Sequence, residues 1–168
     1  MDGLPKNIWE ELLPAEKEVL PPPSARASKG SAAHSDHWSP AILLERAAYL
    51  RKLAKHSDGS ACETLKEYAQ HSAMLSFRSR DGEAELHENF ADLFYVLDGR
   101  ATLVTGGTMD NARTVSPGEL RADSIGGGAR QELRAGDVAH VPAGLPHRML
   151  VAGEKTITCF VMKIRENP

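Results

Sequence analysis

The chain has 168 residues, of which 41% are hydrophobic and 26% are charged, as in an ordinary globular domain with one core and room for one appendage. Its formal net charge of −3 gives no reason to expect a nucleic acid or a membrane surface as a partner, and no apolar run approaches the ~20 residues that span a bilayer. Cys62 and Cys159 are too few and too far apart to announce a disulfide framework or a Cys-rich zinc site.

The first 38 residues are predicted to be a flexible arm and linker. Residues 7–13 are compatible with a short amphipathic helix, and residues 21–36 have the composition of a linker. The arm is either a free tail or a segment that docks on a neighbouring subunit through Trp9 and Leu13. Because it lacks a basic stretch followed by an apolar one, we expect a cytoplasmic protein; a secreted or periplasmic one stays open if a leader has been removed.

Residues 39–72 are predicted to form a helical extension. Ser39 is a typical N-cap, and Pro40 occupies the first helical position, where its missing N–H costs nothing. Apolar residues recur at helical spacing up to Ala54, and Gly59 is a C-terminal signal. The sequence from Ser60 to Glu63 resembles a capping box, which predicts a second short helix to about residue 70.

From residue 73 to the end the apolar period changes to two, which predicts an all-β domain. The predicted strands are residues 74–80, 84–87, 92–97, 100–105, 131–134, 137–141, 147–151 and 156–164. Asp98-Gly99 is predicted to be a turn, and residues 106–128 a long loop. Short strands at such regular spacing favour a sandwich or an antiparallel barrel.

His87 and Asp92 are separated by four residues, so a hairpin would place them opposite each other on one face. Phe94 and Val96 would then share that face, and the apolar Leu93, Tyr95 and Leu97 would occupy the other. One face would line the barrel. The other needs a cover, from the predicted helices or from a second subunit, and on this ground we expect a homodimer.

Two segments resemble the sequence motifs of the cupin superfamily. In the first, an acid is followed after six residues by glycine, as in Asp92 and Gly99, and His87 stands ahead of the acid. Glu85 occupies the position of the motif's first histidine. The second motif is matched by Gly136, Pro142, Gly144 and His147, whereas Val151 replaces its asparagine. The resemblance covers about residues 74–164.

The resemblance implies a double-stranded β-helix, or jelly-roll, barrel with a metal near one end. The implied protein ligands are His87, Asp92 and His147, with Glu85 in doubt because it replaces a histidine. Two imidazoles and a carboxylate suit a divalent Fe, Mn, Zn or Ni ion. Each residue also has a plain structural reading, as a strand histidine, a turn aspartate or a buried histidine.

Two functions remain open from the sequence. In the first, the chain is an enzyme that acts on a small molecule by dioxygenase, isomerase or lyase chemistry, with Glu85 or His140 as general base. In the second, it is a non-catalytic cupin that binds a small ligand or only assembles. An enzyme should show polar side chains that converge on the metal, whereas a binding module should show an apolar cavity. The candidate substrate contacts are Phe94, Val96, Met149 and His140, although a structural role is favoured for His140.

Overall fold

The computed structural model describes residues 35–166. The described part contains a helix, α1 (Pro40–Ala54), followed by twelve strands. The strands are β1 (Ser60–Glu67), β2 (His71–Arg78), β3 (Ala84–His87), β4 (Phe90–Thr105), β5 (Thr108–Asp110), β6 (Arg113–Ser116), β7 (Glu119–Ala122), β8 (Ser124–Gly126), β9 (Ala129–Arg134), β10 (Val138–Val141), β11 (His147–Leu150) and β12 (Ile157–Arg165). The predicted helix at residues 7–13 and the docking arm lie outside the described residues.

Helix α1 begins where the sequence predicts. The Ser39 side chain accepts a hydrogen bond from the Ile42 backbone N–H at 3.3 Å, and Pro40 is the first helical residue. One stripe of the helix is buried against β1 and β2, with Leu50 only 2% exposed. Leu97 and Phe160 pack against the same apolar cluster. The helix therefore supplies cover for the second apolar face of the barrel strands.

The predicted second helix is wrong. Residues 60–67 form β1, an edge strand whose Ser60 pairs with Arg78 of β2 and whose Cys62 pairs with Ser76. Ala61 and Leu65 pack towards α1, which is a period of two along a strand. The capping-box residues describe only local preference, and pairing with β2 overrides it.

Strand β4 is continuous through the predicted turn at Asp98-Gly99, so that prediction is also wrong. Gly99 has φ +81°, a conformation in which a side chain would be strained, and it pairs with Ile157. The first half of β4 pairs with β10 and β12, and the second half pairs with β9 and β11. A single long strand therefore runs through both parts of the sheet.

The described sheet has the order β1-β2-β12-β4-β11-β3-β7-β6, with β9 and β10 also paired to β4, and β5 pairs separately with β8. All of these pairings are antiparallel, which confirms the predicted fold class. Four of the short strands, β5 to β8, lie within residues 106–128, where a long loop was predicted. Strand β3 pairs with β7 and β11 and not with β4, so the predicted hairpin between His87 and Asp92 does not form.

The core of the barrel is one apolar cluster. It contains Val96, Leu103, Leu133 and Val141 among other buried residues, with Phe94 packed at its margin. In the described part of the chain, no helix is long and apolar enough to cross a membrane. The homodimer stays a prediction, and light scattering of the purified protein at micromolar concentration would show a monomer if it is wrong.

Candidate metal centre

Three strands bring the candidate ligands together. Glu85 and His87 alternate along β3 and therefore share a face, and His147, the first residue of β11, is the cross-strand partner of Glu85. Asp92 lies near the start of β4, where it pairs with Val141 and Lys163. The four side chains meet although His87 and Asp92 are not hairpin partners.

The imidazoles of His87 and His147 face a common carboxylate. Oδ2 of Asp92 lies 3.2 Å from Nε2 of His87 and 3.3 Å from Nε2 of His147. Oε2 of Glu85 lies 3.4 Å from Nε2 of His87. One potential ligand atom from each of Glu85, His87 and His147 lies within 4.8 Å of the other two. Glu85, in doubt from the sequence, is thus part of the cluster.

The outer nitrogen of each imidazole is held by an acceptor. Nδ1 of His147 lies 3.3 Å from the carbonyl oxygen of Leu145, and Nδ1 of His87 lies 2.5 Å from Oε2 of Glu119. A carbonyl can only accept, so Nδ1 of His147 is the donor in this contact. A carboxylate on the outer nitrogen of a histidine is the arrangement that orients metal-binding histidines.

The donor set fits a divalent first-row metal ion. Among the described residues, Nε2 of His87 and Oδ1 of Asp92 are buried and make no well-aligned hydrogen bond, although oppositely charged groups lie 3.2–3.8 Å away. Buried polar atoms without partners are rare because each costs free energy. A cation between the imidazoles and the carboxylates would satisfy such atoms, and nitrogen with oxygen donors suits Fe, Mn, Zn or Ni.

Without a cation, these groups stabilise one another as ions. Burial lowers the pKa of His87, but the carboxylates of Asp92 and Glu85 outweigh burial and raise it to about 9. Burial raises the pKa of Glu85, but the His87 imidazole and the Arg121 guanidinium outweigh burial and lower it to about 2. The pKa of Asp92 is likewise well below its usual range, because both imidazoles outweigh the effect of its burial.

Three cations surround the carboxylates. Nη2 of Arg78 donates to Oε1 of Glu85 at 3.3 Å, and Nη2 of Arg121 lies 3.7 Å from Oε2 of the same residue. Nζ of Lys163 lies 3.8 Å from Oδ1 of Asp92. The site therefore combines imidazoles, carboxylates and fixed positive charges.

The cluster opens into a cavity of about 420 Å³, which Glu85, His87, Asp92 and His147 help to line. Of the predicted substrate contacts, Phe94 and Met149 also line it. Val96 does not, because it is fully buried in the barrel core.

His140 does not line this cavity either. It pairs with Leu93 on the outer face of β4, its side chain is 51% exposed, and its Nε2 lies 3.6 Å from Glu166. Since it is outside the cavity, His140 is not placed to act as general base there. Glu85 does line the cavity, where its carboxylate is paired with Arg78 and Arg121.

Sequence reasoning missed Glu119, Arg121 and Arg78. Glu119 and Arg121 lie in β7, within the segment predicted to be a loop, and nothing in their spacing connects them to the cupin motifs. Arg78 had a signal, since strand alternation places it on the face of Met74 and Ser76, which also line the cavity.

No family model matches the sequence, and no curated protein matches it significantly. Among solved structures, this chain is similar to an uncharacterised conserved protein with a double-stranded β-helix domain from Klebsiella pneumoniae, with 17% identity and a TM-score of 0.52, over 80% of this chain and 93% of that chain. A cupin superfamily protein from Desulfitobacterium hafniense is 16% identical over 68% of this chain and 88% of that chain, with a TM-score of 0.45.

A DMSP lyase, DddQ, from Ruegeria pomeroyi is 16% identical, with a TM-score of 0.48. That match covers 65% of this chain but only 48% of the lyase, so the chain spans about half of the lyase's length. At such identities the likeness concerns the fold alone. The strand order and the match to the Klebsiella structure show that this chain has a double-stranded β-helix fold, as the motifs in the sequence led us to expect.

Proposed function

We propose that the chain binds one divalent first-row metal ion through His87, His147, Asp92 and Glu85, and that it is an enzyme acting on a small molecule in the adjoining cavity. The observation that carries the proposal is the orientation of the two imidazoles. Each has its Nδ1 beside an acceptor outside the cluster and its Nε2 beside the Asp92 carboxylate. This orientation leaves the inner nitrogens directed at a common point, as ligation requires.

The charged wall of the cavity favours an enzyme over a binding or assembly module. The sequence led us to expect an apolar cavity if the chain only bound or assembled. Apolar side chains such as Met74 and Phe94 line part of the cavity, but charged side chains line the wall beside the cluster, including Arg78, Arg121 and Lys163. Convergent polar groups next to perturbed carboxylates and imidazoles are typical of catalytic sites.

In this proposal the metal ligands and the groups that orient them have separate roles. When bound, a divalent ion supplies Lewis-acid polarisation of a substrate oxygen. His87 and His147 present their inner nitrogens, Glu119 and the Leu145 carbonyl fix the orientation of the rings, and Asp92 and Glu85 contribute negative charge. The reaction class, whether dioxygenase-, isomerase- or lyase-like, rests on analogy with the fold and is left to assay.

Metal content tests the proposal. Protein purified without a polyhistidine tag should contain close to one equivalent of a first-row metal by elemental analysis, after supplementation with Fe, Mn, Zn and Ni salts. His87→Ala and His147→Ala should lose most of it, because each removes a nitrogen ligand. His140→Ala is the matched control, since this histidine is exposed and outside the cavity.

Equal metal content in the wild type, His87→Ala and His147→Ala would refute the site. A loss in His140→Ala equal to that in the other variants would show that the metal is held elsewhere or adventitiously. Thermal unfolding of each variant checks that lost metal does not reflect a lost fold.

A further inference from the structure

We infer that Arg78 and Arg121 form a carboxylate-binding subsite, so that the ligand of this cavity is a small organic acid. The inference rests on the proposed function, because it names the substrate class of that site. It uses residues outside both cupin motifs, and its physical basis is the pair of guanidinium groups that meet on one wall of the cavity.

The two arginines reach the same point from different strands. Arg78 extends from β2, and Arg121 extends from β7. Both line the cavity, and their side chains are 28% and 24% exposed. They approach different oxygens of Glu85, at 3.3 Å and 3.7 Å, so one carboxylate is shared by two guanidinium groups.

Pairing with Glu85 leaves much of their binding capacity unused. A guanidinium has five N–H donors. Within residues 35–166, Arg78 makes one hydrogen bond, to Glu85. Arg121 donates to the Leu120 carbonyl, and its Nη1 lies 3.6 Å from Glu119. A planar fork with free N–H groups in a partly enclosed cavity is suited to bidentate recognition of a second carboxylate.

Metal binding would release N–H donors of the two arginines. A divalent cation at the proposed site would balance the charges of Glu85 and Asp92, which in the described structure are paired with Arg78, Arg121 and Lys163. Arg78 and Arg121 would then have N–H donors available for a second carboxylate, although Asp58, Asp81 and Glu83 also line the cavity. In a partly enclosed cavity, charge-assisted hydrogen bonds to these donors favour a negatively charged ligand.

The rest of the cavity indicates the remainder of the ligand. Its volume of about 420 Å³ is in the range of small-molecule sites. Beside the charged wall it is lined by apolar side chains, which would accommodate a short carbon skeleton. They are Met74, Phe94, Met149, Ile157 and Val161.

Calorimetric titration with a matched pair of probes tests the subsite. Mn²⁺-loaded protein is titrated with lactate and with lactamide, which have the same skeleton and hydroxyl group but differ in charge. We expect lactate to bind at least about tenfold more tightly, since hydrogen bonds between charged groups are the stronger ones. Arg78→Met and Arg121→Met should each weaken lactate binding about tenfold or more, and leave lactamide binding unchanged.

The controls separate charge, fold and metal. Arg130→Met removes an exposed arginine of β9 outside the cavity and should bind lactate as the wild type does. Arg78→Lys keeps the charge but loses the fork, and should bind with intermediate affinity. Thermal unfolding and manganese content are measured for each variant, and Arg78→Lys with Arg121→Met carries the test if Arg78→Met does not fold.

Equal affinity for lactate and lactamide, no lactate binding at millimolar concentration, or lactate binding unaffected by either arginine variant would overturn the inference. The same titration on chelator-treated protein separates it from the metal proposal. If the protein holds no metal but its lactate binding still depends on Arg78, the carboxylate subsite is supported and the metal centre is contradicted. If manganese is retained and lactate binding is independent of both arginines, the metal centre is supported and the carboxylate subsite is contradicted.

Discussion

Removing the Glu119 carboxylate should weaken metal binding although Glu119 is not a proposed ligand. Its Oε2 lies 2.5 Å from Nδ1 of His87, whose side chain is 2% exposed, so no water can easily replace it. Loss of such an orienting partner typically costs 10–100-fold in metal affinity, or about 1.4–2.8 kcal/mol. We therefore expect the Zn²⁺ dissociation constant of Glu119→Ala to rise by about 10–100-fold.

Glu119→Gln should fall between the wild type and Glu119→Ala. The amide oxygen can still accept the Nδ1 proton, but a neutral hydrogen bond has about half the strength of a charge-assisted one. We expect about half of the free-energy loss of the alanine variant. Competition with a chromogenic chelator for Zn²⁺ measures all three dissociation constants under one set of conditions.

Glu132→Ala is the control for a general effect of losing a carboxylate. Glu132 is exposed on β9, where it accepts a hydrogen bond from the Thr102 hydroxyl, and it does not line the cavity. If Glu119→Ala binds Zn²⁺ within twofold of the wild type, while His87→Ala binds none, Glu119 does not orient the ligand and the reasoning fails.

Four further outcomes are expected. Because the pKa of His87 in the metal-free protein is about 9, a metal must displace the His87 proton at neutral pH. The affinity for Zn²⁺ should therefore rise with pH up to about 9, at about tenfold per pH unit for one proton. Calorimetry in buffers of different ionisation enthalpy measures the proton release, and finding none would contradict this prediction. The metal-free protein should lose stability to urea as pH rises from about 6.5 to about 9. The pKa of His87 is higher in the folded state than in the unfolded state, so the stability that its protonation contributes is complete below the unfolded pKa and is lost as pH rises to the folded pKa. His87→Gln should not show this decline. Gly99→Ala should lower the free energy of unfolding in urea by more than about 2 kcal/mol, because the added Cβ would lie 2.0 Å from the Thr156 carbonyl oxygen. Gly127→Ala, at a position with positive φ but no atom within 4 Å of the added Cβ, should cost about 1 kcal/mol. Equal losses in the two variants would contradict the steric argument. Leu50→Ala should lower the free energy of unfolding by about 2–5 kcal/mol if α1 covers the sheet, whereas Leu44→Ala should lower it by less than about 1 kcal/mol, because Leu44 is 45% exposed. Similar values for the two variants would show that α1 does not pack on the core.

The sequence was informative wherever local preference and tertiary structure agree. Ser39 and Pro40 mark the start of α1 because capping is a local interaction, and the structure confirms it. The strands with a period of two were also predicted, since one face of each is buried. The spacing of His87, Asp92 and His147 identified side chains that do converge, because the resemblance carried information about a barrel that periodicity alone does not hold.

Pairing between distant strands decided the rest. Residues 60–67 resemble a helix start, but β2 offers a partner for an edge strand, and only the fold reveals it. Strand β4 stays continuous through Gly99 because β9 and β12 pair with its two halves, which are contacts from far along the chain. Glu119 and Arg121 reach the site through β7, whose pairing with β3 brings them beside His87 and Glu85. Such contacts depend on residues some thirty positions away, so no local pattern of charge or hydrophobicity encodes them.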